Sequence, residues 1–167
     1  TLLIEGSQYP VDYKIASALE KFCFGYFLNF DDNQKDILAA IDGFSTRQDI
    51  KILYAACASN IDRFVPQKSK VYLSPEEWIG MYQKAEAIFT NTFHGTVFAL
   101  IFHKKFLVFL QKGKTSKQNE RILSLLQMVG LESRIHNGEK EVEEQLEQMV
   151  DWTYVDNIIE KQKEHSI

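Results

Sequence analysis

The sequence predicts an α/β domain: a Rossmann-like, mostly parallel sheet with helices on both faces. Three observations carry this. Short apolar runs alternate with stretches whose apolar residues recur at helical spacing. Two of the runs, residues 23–30 (CFGYFLNF) and 50–57 (IKILYAAC), are nearly continuous in apolar character, as strands buried on both faces are. The chain has 167 residues, 45% of them hydrophobic, with 12 Phe and 7 Tyr, which suits one domain with a real core and is short for two.

Val11, Ile15, Ala18, Leu19 and Phe22 recur at helical spacing and predict an amphipathic helix up to about Phe22. Residues 23–30 follow as a buried strand. Asp31 then caps a helix with Gln34 three residues on, Ile37, Leu38 and Ile41 form its buried stripe, and Gly43 is expected to stop it. Residues 50–57 form the next strand, and 58–69 a polar loop at the sheet rim. Residues 71–73 form a short strand. Ser74-Pro75-Glu76-Glu77 is the sharpest local signal: Ser at the N-cap, Pro at N1 and Glu at N3 form a capping box. Trp78, Met81, Tyr82 and Ala85 fall on one face of that helix.

Residues 85–110 (AEAIFTNTFHGTVFALIFHKKFLVFL) carry the candidate site. They read as a buried strand, a polar turn, a wholly apolar helix and a second buried strand. An open α/β sheet puts its ligands past the carboxyl end of a strand, at a helix N-terminus. Asn91, Thr92, Phe93, His94, Gly95 and Thr96 occupy that place. A histidine beside free backbone N–H groups suits an anion and a proton transfer. Thr92 is placed to cap the helix, Gly95 to let a ligand approach the backbone, and Thr96 to add a hydroxyl. His94 is therefore the candidate catalytic residue. His103, at the far end of the helix, reads as a partner of its negative pole.

Beyond this segment, Thr115 and Ser116 are expected to cap a helix with Ile122, Leu125, Leu126 and Val129 inward, ended by Gly130. A second amphipathic stretch contains Val142, Leu146, Met149 and Val150. The last helical stretch, with Trp152, Tyr154, Ile158 and Ile159, is expected to pack back on the domain or on a second one.

The net charge of −4 argues against nucleic acid as the main partner. The charge is uneven: Lys104, Lys105, Lys112, Lys114, Lys117 and Arg121 lie within residues 103–121 against Glu120 alone. Such a run is usually a solvated surface, but its position after the His94 helix makes Lys112, Lys117 and Arg121 candidates for holding an anion. No apolar run reaches the roughly 18 residues of a membrane span. Cys23 and Cys57, far apart and flanked by apolar residues, read as buried free thiols of a reducing compartment. No metal-ligand spacing, P-loop or dinucleotide fingerprint is present. The chain begins at Thr1 with no leader pattern, which suggests a piece of a longer protein.

Several strings resemble the polysaccharide pyruvyl transferases: Ser74 to Trp78, Ala85 to Gly95 with its Phe-His-Gly turn, Phe98-Ala99-Leu100 followed by Lys105-Phe106, and Asn119-Glu120-Arg121-Ile122. The opening Thr1-Leu2-Leu3 and the Leu125-Leu126 to Val129-Gly130-Leu131 stretch are also similar. The resemblance implies that residues 1–167 are the C-terminal lobe of a two-lobed enzyme of GT-B type, with the N-terminal lobe outside this chain. It implies transfer of a pyruvyl group from phosphoenolpyruvate to two hydroxyls of a sugar, as a ketal, with release of phosphate and no further cofactor. The partners implied are phosphoenolpyruvate, a glycan or lipid-linked sugar acceptor and the N-terminal lobe. The setting implied is bacterial capsule, exopolysaccharide or cell-wall glycan assembly in the cytoplasm, including the inner face of the membrane. Some members carry Arg where this chain has Thr92, so the anion clamp here must come from elsewhere. Two other readings remain open: a nucleotide-sugar glycosyltransferase lobe binding at the same turn, and a non-catalytic glycan or partner-binding module. Exposed Trp152 and Tyr154 with a buried, satisfied His94 would mark the latter.

Overall fold

Successive side chains along each strand point to opposite faces of the sheet, and here both faces are buried. The structure is a computed structural model that describes residues 5–56 and 60–165. Its strands are β1 (Phe22–Tyr26), β2 (Lys51–Ala55), β3 (Lys70–Val71), β4 (Ala87–Thr90) and β5 (Lys105–Val108). They pair in parallel throughout, in the order β3-β2-β1-β4-β5. The helices are α1 (Lys14–Ser17), α2 (Lys35–Gln48), α3 (Pro75–Lys84), α4 (Phe93–Ile101), α5 (Asn119–Met128), α6 (Val142–Leu146) and α7 (Trp152–His165). None of the described helices is long and apolar enough to cross a membrane.

Two cores result. Phe24, Leu53, Ile88 and Phe106 face α3, α4, α5 and α7, where Met81, Tyr82, Leu100, Leu126 and Val155 meet them. Cys23, Ile52, Phe89 and Leu107 face α2 and α6, against Ile41, Phe44 and Leu146. The chain builds outward from β1 to β3, then crosses back to lay β4 against the other side of β1. A crevice therefore opens between the carboxyl ends of β1 and β4, the switch point where open α/β sheets bind ligands.

The capping box at α3 forms as expected: Glu77 N–H donates to Ser74 Oγ at 3.2 Å, and Ser74 N–H to the Glu77 carboxylate at 2.8 Å. Elsewhere the boundaries differ from those the sequence suggests. The first helix is a single turn, because the ladder claims Phe22, which pairs with Lys51. β1 ends at Tyr26, although Phe27 and Phe30 remain buried; Asn29 has φ +53°, and the chain turns over the end of the sheet there. Gly43 does not stop α2, which runs to Gln48 and ends at Asp49 in the left-handed region. Mid-helix glycine costs about 1 kcal/mol, and the buried Ile37, Leu38, Ile41 and Phe44 outweigh that.

Thr115 and Ser116 lie in a 3₁₀ segment, Gly113–Gln118, and do not cap α5, which has no side-chain cap. α6 spans five residues only, and Met149 beyond it is 97% exposed. Buried Arg134 fixes that helix by donating to the carbonyls of Gln145 and Gln148; burial depresses its pKa. α7 does pack back on the domain, through Val155 and Ile159. Its Trp152 stacks on His103 at 4.8 Å, and Asp156 pairs with His103 Nε2 at 2.9 Å. Cys23 is a buried free thiol; Cys57 and Thr1-Leu2-Leu3 lie outside the described residues.

Candidate functional site at the β1–β4 crevice

The turn after β4 is built from hydroxyls that bond to one another. Thr90 is fully buried, and its Oγ1 donates to the Tyr26 carbonyl at 2.7 Å, tying the end of β4 to the end of β1. With that proton committed, Thr92 Oγ1, 3.0 Å away, must donate to Thr90 Oγ1. Thr92 is then left as acceptor for Gly95 N–H at 2.9 Å, which caps α4. Thr96 Oγ1 donates back to the Thr92 carbonyl at 2.9 Å. A side chain at position 95 has no room, since a Cβ would stand 2.2 Å from Thr90 Oγ1.

Asn91 also faces inward. Its Oδ1 accepts from Leu28 N–H at 2.8 Å, and its Nδ2 donates to the Leu28 carbonyl at 2.7 Å. The side-chain polar groups of Asn91, Thr92 and Thr96, which the sequence offers as ligand contacts, are thus engaged within the protein. What the turn leaves for a ligand is backbone and imidazole. The N–H groups of Phe93 and His94 have no partner among the described residues, as expected of the first two positions of a helix. The His94 ring is exposed and makes no hydrogen bond there.

Phe93 acts as a bracket. Its ring meets His94 edge-on at 5.8 Å, and the Arg121 guanidinium lies over its face at 4.1 Å. This cation–π contact brings a positive charge from α5 to the start of α4. Lys112 is instead paired with Asp36 at 2.9 Å, and its hydrogen bond holds the Asp36 carboxyl below its ordinary pKa. Lys117 is exposed and makes no hydrogen bond or ion pair with the turn. Of the three cations the sequence nominates, the structure brings Arg121 to the turn.

On its other side His94 borders a cavity of about 400 Å³ at the carboxyl ends of β1, β2 and β3. Tyr26, Trp78 and Phe98 give it rings, and Val71, Leu73 and Ile79 give it aliphatic walls. Sequence reasoning misses these residues as site residues. Tyr26 falls inside the run 23–30 that reads as one buried strand, and Trp78 lies on a helix face that reads only as core. Among the described residues no three His, Cys, Asp or Glu side chains converge as metal ligands. Tyr154 is exposed and Trp152 half-buried, but His94 is neither buried nor satisfied, so the pattern of a non-catalytic module is not met.

Sheet order and crevice together make the fold Rossmann-like, of the GT-B-like kind. The fold is similar to that of the glycotransferase of kitacinnamycin, with a TM-score of 0.56 and 12% identity over 95% of this chain and 43% of that one. It is also similar to the UDP-GlcNAc 2-epimerase of Methanocaldococcus jannaschii, solved with UDP-GlcNAc and UDP, with a TM-score of 0.52 and 15% identity over 89% and 47%. The chain spans less than half the length of either. No curated protein matches it in sequence. Residues 9–112, from before β1 through β5 and including the whole turn, match the polysaccharide pyruvyl transferase family. The chain belongs to that family.

Proposed function

We propose that the chain is the C-terminal lobe of an enzyme that moves the pyruvyl group of phosphoenolpyruvate onto two hydroxyls of a sugar in a bacterial cell-surface polysaccharide. The observation that carries this reading is an exposed, unbonded imidazole standing beside two free backbone N–H groups at the start of α4. Those N–H groups, the helix dipole and Arg121 suit the phosphate or carboxylate of the donor. His94 suits the proton transfers. A proton goes to the enol methylene, and the cationic carbon so formed takes the first sugar hydroxyl. The C–O bond to phosphate then breaks and the second hydroxyl closes the ketal. Of the two hydroxyl protons, one replaces that given to the methylene and the other leaves with phosphate. The balance needs no further cofactor.

A cleft enzyme needs both walls, so turnover is expected of this lobe together with its N-terminal partner lobe, acting in the cytoplasm or at the inner membrane face on a glycan or lipid-linked acceptor. The test is an amide NMR titration of the chain with phosphoenolpyruvate. Shifts centred on Phe93, His94 and Gly95, lost in Arg121→Met, are expected. A response to UDP-sugar or GDP-sugar alone would favour the nucleotide-sugar reading, which the likeness of fold to a UDP-GlcNAc-binding epimerase keeps in play.

A further inference from the structure

His94 belongs to two surroundings of opposite chemistry. Toward Phe93 and Arg121 lie free N–H groups and a cation; toward Tyr26 and Trp78 lies the 400 Å³ cavity, which neither Phe93 nor Arg121 lines. If the donor anion occupies the first, the acceptor must meet it from the second. This step rests on the pyruvyl-transfer reading.

The cavity is pre-shaped around Trp78. Its indole is held edge-on by Tyr26 at 5.1 Å and by Phe98 at 5.0 Å, with Tyr82 behind at 4.3 Å. The polar groups of its lining are few: the Ser74 hydroxyl, which accepts from Glu77 N–H and keeps its own proton to donate, the Tyr26 phenol and the His94 imidazole. A sugar lodged with its hydroxyls against such walls would lose the hydrogen bonds it makes in water. A sugar laid with its C–H face on the rings would keep its hydroxyls outward, and ketal formation needs two hydroxyls free. The cavity lies within the usual range for small-ligand sites, and Val71, Leu73 and Ile79 line it with groups that only an apolar substituent can use.

We propose that this cavity takes the acceptor as a pyranose bearing a methyl group, on an N-acetyl arm or as a 6-deoxy carbon. Its C–H face lies on Trp78, its methyl among Val71, Leu73 and Ile79, and its ketal-forming hydroxyls toward His94.

The test is a set of separate NMR titrations of the ¹⁵N-labelled chain. The ligands are methyl glycosides of N-acetylhexosamines, of 6-deoxyhexoses and of plain glucose and galactose, then uridine, then phosphoenolpyruvate. The Trp78 indole N–H reports on the cavity, and that of Trp152, stacked on His103, is the internal control. The expected result is that N-acetyl or 6-deoxy glycosides shift Trp78, Ala56 and Leu73 but not Trp152. They should bind roughly tenfold or more tightly than glucose and galactose, the usual worth of a methyl group in an apolar pocket. Trp78→Leu should abolish these shifts and Trp78→Phe retain part of them, with both variants keeping the Trp152 signal of the folded domain. Equal binding of plain hexoses overturns the methyl assignment; uridine acting alone makes the cavity a nucleobase slot; silence from every glycoside overturns the proposal outright. Phosphoenolpyruvate shifts at Phe93 and His94 with silent glycosides would sink the cavity proposal and leave the donor reading standing. Glycoside shifts with silent phosphoenolpyruvate would do the reverse.

Discussion

The Oγ1 atoms of Thr90 and Thr92 lie 3.0 Å apart, and the Tyr26 carbonyl decides which of them donates. Because Thr90 gives its proton to β1, Thr92 is fixed as the acceptor that caps α4. Thr90→Val keeps the shape but strands the Thr92 amide, which donates to Thr90 Oγ1 at 3.1 Å, at about 1–3 kcal/mol for a buried unsatisfied group. Thr92→Ala removes the cap and the bond to Thr90 Oγ1 but leaves the Thr92 amide its acceptor, at about 1 kcal/mol. Urea unfolding of the two variants should rank them in that order; a neutral Thr90→Val would show that the hydroxyl chain has no structural role.

His94→Gln keeps the size and polarity of the side chain but cannot shuttle a proton. On the pyruvyl-transfer reading, phosphate release by the full-length protein should fall roughly 10²–10⁴-fold, the usual worth of general acid–base catalysis. The unfolding midpoint should stay unchanged, since the ring is exposed and makes no hydrogen bond. Turnover near the parent rate would remove His94 from the chemistry.

Arg121→Met retains a long side chain over Phe93 while deleting the charge. It should raise the KM for phosphoenolpyruvate with little change in kcat and flatten its dependence on ionic strength, because screening acts on the lost pair. Lys112→Met, which breaks the ion pair with Asp36, should leave that KM alone. If the two variants behave alike, the anion is held by diffuse charge rather than by Arg121.

Burial pushes the Cys23 thiol up to about 12, so the reactive thiolate is essentially absent at neutral pH. Alkylation followed by peptide mapping should leave Cys23 unmodified in the native protein and label it on unfolding. Labelling without unfolding would mean that the β1 face opens locally toward α2.

Arg47 on α2 pairs with Glu143 at 2.5 Å and Glu141 at 2.9 Å, and its hydrogen bond holds the Glu143 carboxyl below its ordinary pKa. A carboxyl depressed in the folded state contributes its stability above the unfolded pKa and loses it as pH falls through the folded one. The parent should therefore exceed Arg47→Met in urea midpoint at neutral pH, by a small margin because the pair is exposed. The margin should vanish in acid below the ordinary carboxylate range. A margin independent of pH would assign the effect to packing of the arginine stem.

Much of this architecture is legible in the residues. The capping box at Ser74, the cap at Thr92 and the buried strands around Phe24 and Phe89 are local signals that tertiary structure has no reason to override. Gly43 misleads because a glycine facing only the flexible Arg47 side chain is tolerated when the rest of the helix is well buried. Phe27 and Phe30 mislead because a buried aromatic residue need not be in a ladder. The site is harder. Asn91, Thr92 and Thr96 are the residue types a ligand would want, but whether a hydroxyl faces a ligand or its neighbour depends on Tyr26 and Leu28, more than sixty residues earlier in the chain. Trp78 is hidden for the opposite reason: a helix face can serve the core with one residue and a cavity with the next.

Asn91 and Leu28 bear on how the crevice behaves before any substrate arrives. An asparagine that both accepts from and donates to one residue's backbone mimics a strand partner, and Asn119 does the same to Gln111 at 2.9 and 2.8 Å. The first of these stitches spans the fork between β1 and β4; the second fastens the segment after β5 to α5. The mouth of the crevice is consequently a fixed gauge rather than a flexible jaw. Selection by this crevice can therefore rest on a width and reach set in advance by the backbone itself.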